Sequence, residues 1–290
     1  LKRAFKLNVQ KLMAVIFGIR RGAVPFFALR RGAVPFFAGA AAGLVTAAGV
    51  RRCAPRCEEP PDSTRERISR ASKGLSGTVS AADERQTRLL TPPSQVVYGE
   101  ITFDGARVFL DHCLRRRKKD AHEARETSED GDVFYDLGSG VGRMVLQAHL
   151  DHPSVRRSVG IELSKERHAA ACELHRRLLG EPGLETDSSC SWCFEDGRSV
   201  VLRRGDILRA DFSDASVIWL ANSFMTEGFL SQLCGSIYAH APNMRYIGVN
   251  DALSEWDVDI PGFKLEASLR LPMSWDEGWT AYVYKRIGCS

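Results

Sequence analysis

The stretch DVFYDLGSGVGRMVLQAHL, residues 132–150, decides the fold. Its first six residues are a short, mostly apolar run that ends in a glycine-rich turn, which reads as a buried strand. The residues from Val141 to Leu150 read as a helix. Between the two, Gly138, Gly140 and Gly142 form a strand-to-helix turn. Glycines at such a turn let the backbone approach a bound ligand closely.

The spacing of that turn narrows the ligand. It is G-x-G-x-G, whereas the dinucleotide fingerprint needs a glycine at position 143, where Arg143 stands. Asp136 lies two residues before the first glycine. Its carboxylate would repel a pyrophosphate and attract the ammonium of a methionine moiety. The loop therefore argues for S-adenosylmethionine over a nicotinamide or flavin dinucleotide.

Working outward, RSVGIEL (157–163) reads as a second strand, and Ser164 as the cap of the helix KERHAAACELHRRLL that stops at Gly180. SVVLRRGDIL, ASVIWLANSF and MRYIGVN hold a third, fourth and fifth strand, and FKLEASLRL and TAYVYKRI two more. Strands alternate with helices and then follow one another directly. This predicts an α/β fold, a mostly parallel seven-stranded Rossmann-like sheet with an antiparallel edge strand. Three acids fall at successive strand ends. Asp136 precedes the glycine loop. Glu162, about twenty residues on, is placed to hold the ribose hydroxyls. Asp206 is placed to accept from the adenine amino group, with Ile207 against the adenine face. All three belong to the carboxyl edge of the sheet, where open α/β folds bind ligands.

Charge is unevenly spread. Residues 1–57 contain eleven Lys or Arg and no Asp or Glu. The other residues carry 29 basic against 36 acidic side chains, a net of −7. The sequence pI near 8.6 therefore belongs to the N-terminus, and nucleic-acid affinity does not follow from it. RRGAVPFFA occurs twice, at 20–28 and 30–38, followed by an uncharged, Ala- and Gly-rich run to Val50. Residues 1–57 read as a non-globular extension: a cleaved targeting leader, a membrane anchor or an unstructured addition. Residues 58–95 are polar and rich in Pro, Ser, Arg and Glu, and read as a linker that could carry a short helix. Residues 96–290 read as the catalytic domain. The eight cysteines are scattered, which fits a reducing compartment rather than a disulfide scaffold. CSWC (190–193) has the spacing of half a zinc site or a redox pair, but the remaining ligands of a zinc site are missing, so no metal is expected.

FYDLGSGVGRMVLQA, VGIEL, GDIL and ANSF resemble the class I methyltransferases. VYGEITFD ahead of them (97–104) and MSWDEGWTAYVY near the end (273–284) narrow the likeness. Together they resemble the disruptor-of-telomeric-silencing family, the lysine methyltransferases of nucleosomal histone that lack a SET domain. The likeness covers residues 96–286.

That resemblance implies roles. Tyr98, Gly99, Glu100 and Thr102 match the loop that folds over the methionine end of the cofactor. Asp136, Gly138, Gly140 and Gly142 match the first cofactor motif, Glu162 the ribose ligand and Asp206 the adenine ligand. Asn222 and Phe224 match the Asn-Asn-Phe segment beside the reacting methyl. Tyr282 matches the aromatic that lines the lysine channel, with Trp275 just before it. The implied catalytic set is Asn222, Phe224, Tyr282 and Tyr98. There are departures: Ser223 replaces the second asparagine, Met225 follows Phe224, and Arg143 stands where the family often has an uncharged amide. The implied activity is methyl transfer from S-adenosylmethionine to a protein lysine, with a nucleosomal histone as substrate. The alternatives are an organellar non-histone methyltransferase and a cofactor-binding protein without turnover. Nuclear localisation follows from the family, and an organelle or membrane from the N-terminal segment. The basic run Arg115, Arg116, Arg117, Lys118 and Lys119 offers a DNA contact.

Overall fold

The computed structural model describes residues 63–90, 98–114 and 131–288. The leader-like segment and the basic run at 115–119 lie outside the described residues. Among the described residues no helix is long and apolar enough to cross a membrane.

Strand β1 (Asp132–Leu137) is buried along its whole length. A strand covered on both faces needs apolar side chains on both. Val133, Tyr135 and Leu137 enter one core layer and Phe134 the other. β2 (Val155–Glu162), β5 (Ser199–Arg204), β6 (Val217–Leu220) and β7 (Tyr246–Val249) extend the sheet in parallel on either side of β1. β9 (Trp279–Arg286) runs antiparallel to both β7 and β8 (Phe263–Leu271). All seven expected strands form, with the antiparallel strand one place in from the edge. A hairpin of β3 (Leu184–Thr186) and β4 (Ser189–Cys193) adds two short antiparallel strands outside β5. Among the described residues the sheet is nine-stranded, in the order β3-β4-β5-β2-β1-β6-β7-β9-β8.

Helices α3 (Phe103–Leu114), α4 (Arg143–Asp151) and α5 (Lys165–Leu179) pack on the sheet. Phe109 of α3 meets Trp219 of β6 with ring centroids 4.9 Å apart. Gly248 of β7 makes room for it, since a Cβ there would lie 2.1 Å from the Phe109 ring. A separate core layer joins Leu230, Leu233 and Ile237 of α6 (Glu227–His240) to Tyr135, Ile218 and Ile247.

The linker reading of residues 58–95 is corrected over 63–90, which form α1 (Thr64–Ala71) and α2 (Ala81–Leu90). Ser63 and Glu66 make a reciprocal capping box at the start of α1. Ile68 is buried against Leu146 of α4 and Leu174 of α5. Asp83 of α2 accepts from the Ser164 hydroxyl at 2.5 Å and the Lys165 N–H at 3.1 Å. Apolar packing, a buried carboxylate and hydrogen bonds from Arg167 and Arg177 to its carbonyls dock a segment whose composition is otherwise that of a solvated chain.

Candidate active site

The parallel registers bring the strand ends to one edge. Leu137 of β1 lies opposite Ile161 of β2 and Leu220 of β6, Glu162 opposite Arg204, and Leu220 opposite Val249. The residues after these ends form the candidate site.

The glycine loop is built from backbone that only glycine adopts freely. Gly138, Gly140 and Gly142 have φ of 85°, 55° and 75°, the left-handed region where a side chain is strained. The N–H groups of Gly138 and Ser139 donate to the Ile161 carbonyl at 2.8 and 3.0 Å, so the loop is tied to β2. Glu162 completes the tie: its carboxylate accepts from the Gly140 N–H at 2.8 Å and from the Ser164 N–H at 2.8 Å. A carboxylate offers about four lone-pair directions. Two are used here, which leaves acceptor capacity for hydroxyls. A Cβ added at Gly138 would meet nothing within 4 Å, so the space above the first glycine is open.

Asp136 is buried beneath this loop. Its carboxyl is pushed up to about 8, first by burial and then by the negative charges of Glu162 and Glu100. A buried site with three carboxyl groups favours a cationic occupant. The ammonium and sulfonium of S-adenosylmethionine supply that charge, so the residues present fit the group. Asp206 follows β5; its carboxylate accepts from the Leu208 N–H at 2.9 Å, and Ile207 beside it is buried.

The Tyr-Gly-Glu turn closes over the loop. The Tyr98 ring lies close to Gly140, whose added Cβ would stand 2.9 Å from it, and close to Gly77 before α2. The Arg167 guanidinium sits 4.8 Å from the ring centroid, a cation–π contact. The Tyr98 hydroxyl donates to Glu100, and burial together with the Glu100 charge holds the phenol well above its ordinary range. Glu100 also takes the Arg143 guanidinium from the first turn of α4. Its backbone pairs with Ser274, the Glu100 N–H donating to the hydroxyl at 3.0 Å and the Ser274 N–H to the Glu100 carbonyl at 2.8 Å. Thr102 anchors the next residues, with its N–H and hydroxyl both on the Pro272 carbonyl. Gly99 lies under Trp275: a Cβ there would come within 2.5 Å of the indole.

The segment after β6 is placed differently from the expectation. Asn222 is fully buried. Its side-chain amide donates to the Asp251 carbonyl at 3.0 Å and accepts from the Asp251 N–H at 2.8 Å. Its own N–H donates to the Asn250 side chain at 2.6 Å, and Asn250 in turn donates to the Ser223 hydroxyl at 2.6 Å. Asn222 is thus a latch between the ends of β6 and β7. Ser223 keeps an acceptor where the family has an asparagine. Asn250 and Asp251 were not singled out from sequence, because their partners are nearly thirty residues away. Phe224 is half-buried beside this latch. Tyr282 pairs across from Val249 and packs with the layer that holds α6, whereas Trp275 packs with the layer that holds α3. The tryptophan supports the turn and stands edge-on to Trp279, 6.0 Å between centroids.

Residues 79–182 match the family model described as "Histone methylation protein DOT1". The chain is a methyltransferase that resembles the DOT1 family over this segment. The matched segment contains the Tyr-Gly-Glu turn, the glycine loop and Glu162, and the domain uses S-adenosylmethionine. Similar solved structures include a putative RNA methyltransferase from Pyrococcus horikoshii, 12% identical, covering 79% of this chain and 99% of that one at a TM-score of 0.41. The magnesium protoporphyrin IX methyltransferase of Synechocystis PCC 6803, solved with bound S-adenosylhomocysteine, is 11% identical and covers 76% and 93% at 0.41. A B. subtilis transfer-RNA methyltransferase is 12% identical and covers 64% and 68% at 0.43. No curated protein matches the chain.

Proposed function

We propose that this DOT1-like methyltransferase methylates a lysine amine of a protein, with a nucleosomal histone as the first substrate to test. The observation that carries the reading is the Tyr98–Glu100 turn held over the glycine loop, tied by Arg143 on one side and Ser274 on the other. The matched family model spans that turn and loop, and its description names histone methylation.

S-adenosylmethionine, when bound, supplies an electrophilic methyl on a sulfonium. Asp136 would hold its ammonium, Glu162 its ribose hydroxyls, and Asp206 and Ile207 its adenine. Gly138, Gly140 and Gly142 keep the backbone low enough to admit it. Tyr98, Gly99, Glu100 and Thr102 would cover the methionine end and exclude water. The incoming lysine must be neutral. With a reference pKa near 10.4, the free amine costs about 4.6 kcal/mol at pH 7. A channel walled by Phe224 and Tyr282 would lower that cost by desolvating the ammonium. Asn222 acts on this wall from behind, by fixing the β7 end that Tyr282 lies against. Alignment of amine and methyl supplies most of the acceleration.

The test is methyl transfer by the full-length chain to intact nucleosomes, free histones and an organelle extract. Transfer to nucleosomal lysine that vanishes in Glu162→Ala supports the reading. Transfer only to extract proteins moves the substrate elsewhere. Cofactor binding with no product on any of the three overturns catalysis on protein lysine.

A further inference from the structure

The motif CSWC does not act as a pair. It forms β4, and residues three apart on a strand point to opposite faces. Accordingly Cys190 is buried and Cys193 is exposed. Cys190 instead faces α5, where its sulfur lies 2.6 Å from Sγ of Cys172. His168, one helical turn before Cys172, brings its Nε2 to 3.6 Å from the same sulfur. The three side chains are buried together, with Val145, Ala171, Trp192 and Leu202 around them.

Two chemistries suit such a cluster, and ligand count separates them. A structural zinc takes four protein ligands, and among the described residues this group offers three. Cys172 and Cys190 are free thiols in direct contact, the arrangement from which a disulfide forms. We propose that Cys172 and Cys190 form a redox-controlled disulfide that staples the edge hairpin β3–β4 to α5.

The step is thiol–disulfide exchange with a low-molecular-weight disulfide such as oxidised glutathione. One cysteine thiolate attacks a glutathione sulfur, forms a mixed disulfide and releases one glutathione thiolate, which takes the proton. The second cysteine then attacks the protein sulfur of the mixed disulfide and releases the other glutathione. The two thiols lose two electrons and two protons, and one glutathione disulfide becomes two thiols. Burial holds both thiols above their ordinary range, so exchange proceeds when the hairpin opens. That opening is local: β3 is three exposed residues at the sheet edge. Once formed, the bond is shielded from reductant by the same burial.

The staple crosses elements that carry the site. α5 begins at Ser164, which donates to Glu162, and β4 pairs along β5, which ends before Asp206. Closing a loop between residues eighteen apart restrains mainly the unfolded chain.

The full chain is equilibrated or refolded in a glutathione redox buffer and read by intact mass, by alkylation under denaturing conditions and by peptide mapping. The expected result is a loss of two hydrogens, a Cys172–Cys190 linked peptide, and a melting temperature raised by roughly 5–10 °C over the reduced form. Cys193→Ala keeps the shift, and Cys172→Ala and Cys190→Ala each abolish it. The wild-type peptide map is decisive even where a variant fails to fold. Both thiols alkylated after oxidation, a bridge mapped to another pair, or zinc retained by the purified protein and lost in Cys172→Ala overturns the proposal.

Discussion

The backbone N–H of Gly140 donates to Oε2 of Glu162 across 2.8 Å, while Oε1 of the same carboxylate takes the Ser164 N–H. One side chain thus fixes the glycine loop, the end of β2 and the start of α5. It joins the two elements between which a cofactor has to lie.

Glu162→Ala removes that acceptor from two backbone donors and, on the proposed reading, from the cofactor ribose. Hydrogen bonds to a charged group contribute about 1.5–3 kcal/mol each. The expected outcome is cofactor affinity weakened by roughly 10- to 150-fold for each ribose hydrogen bond lost, measured by calorimetry with S-adenosylhomocysteine. Glu162→Gln is expected to recover only part of it, because its amide nitrogen would face a backbone donor. Affinity within threefold of wild type for both variants would remove Glu162 from the site.

Asp136 makes cofactor binding depend on pH. Its carboxyl holds a proton up to about pH 8 in the free protein. An ammonium beside it favours the carboxylate, so binding expels that proton. Affinity should rise with pH from about 6 to 8, by up to tenfold per unit, and level off above. Calorimetry in two buffers of different ionisation enthalpy should show release of close to one proton at pH 7. Asp136→Asn should flatten the profile. Stability of the free protein runs the other way. The folded pKa lies above the unfolded one, so the folded state holds more protons and loses stability as pH rises from about 4 to 8. Binding with no proton release at pH 7 would contradict this electrostatic account.

Arg143 ties down the turn proposed to cover the cofactor. It links Glu100 to the first turn of α4, and its side chain is 37% exposed. Pairs with this much solvent contribute about 0–1 kcal/mol to stability. Arg143→Gln should therefore melt within about 3 °C of wild type. Its effect should appear in the lid, as faster cofactor dissociation in stopped flow. Gly99→Val is the steric counterpart, since its Cβ would meet Trp275 at 2.5 Å. Unchanged dissociation in both would mean the turn does not cover the cofactor.

What the sequence discloses divides by the range of the interaction. β1, the glycine loop, Glu162 and α5 are legible because strand, turn and cap are each encoded within a few residues, as Ser164 shows by accepting from the Arg167 N–H. The capping box Ser63–Glu66 was equally local, yet the polar composition around it masked α1. The β3–β4 hairpin also left a signal. In SCSWC only Cys190 and Trp192 are buried, an alternation of period two that the C-x-x-C spacing overlies. The pairings Arg143–Glu100 and Asn222–Asp251 left none. Their members are 43 and 29 positions apart, and only the completed sheet brings them together.

Asn222 gives the sharpest separation of support from chemistry. Its amide satisfies both the N–H and the C=O of Asp251 in a fully buried setting. Asn222→Ala orphans both backbone groups. At about 1–3 kcal/mol for each buried unsatisfied group, the melting temperature should fall by roughly 5–15 °C. Hydrogen exchange at the Asp251 amide should accelerate. Asn222→Asp keeps the acceptor for that N–H and loses the donor, so it should restore amide protection without restoring full stability. On the proposed methyl transfer, a latch behind Tyr282 predicts a lower kcat with cofactor affinity nearly unchanged. An Asn222→Ala protein with native stability and native Asp251 exchange, but no turnover, would instead put the amide at the reacting methyl.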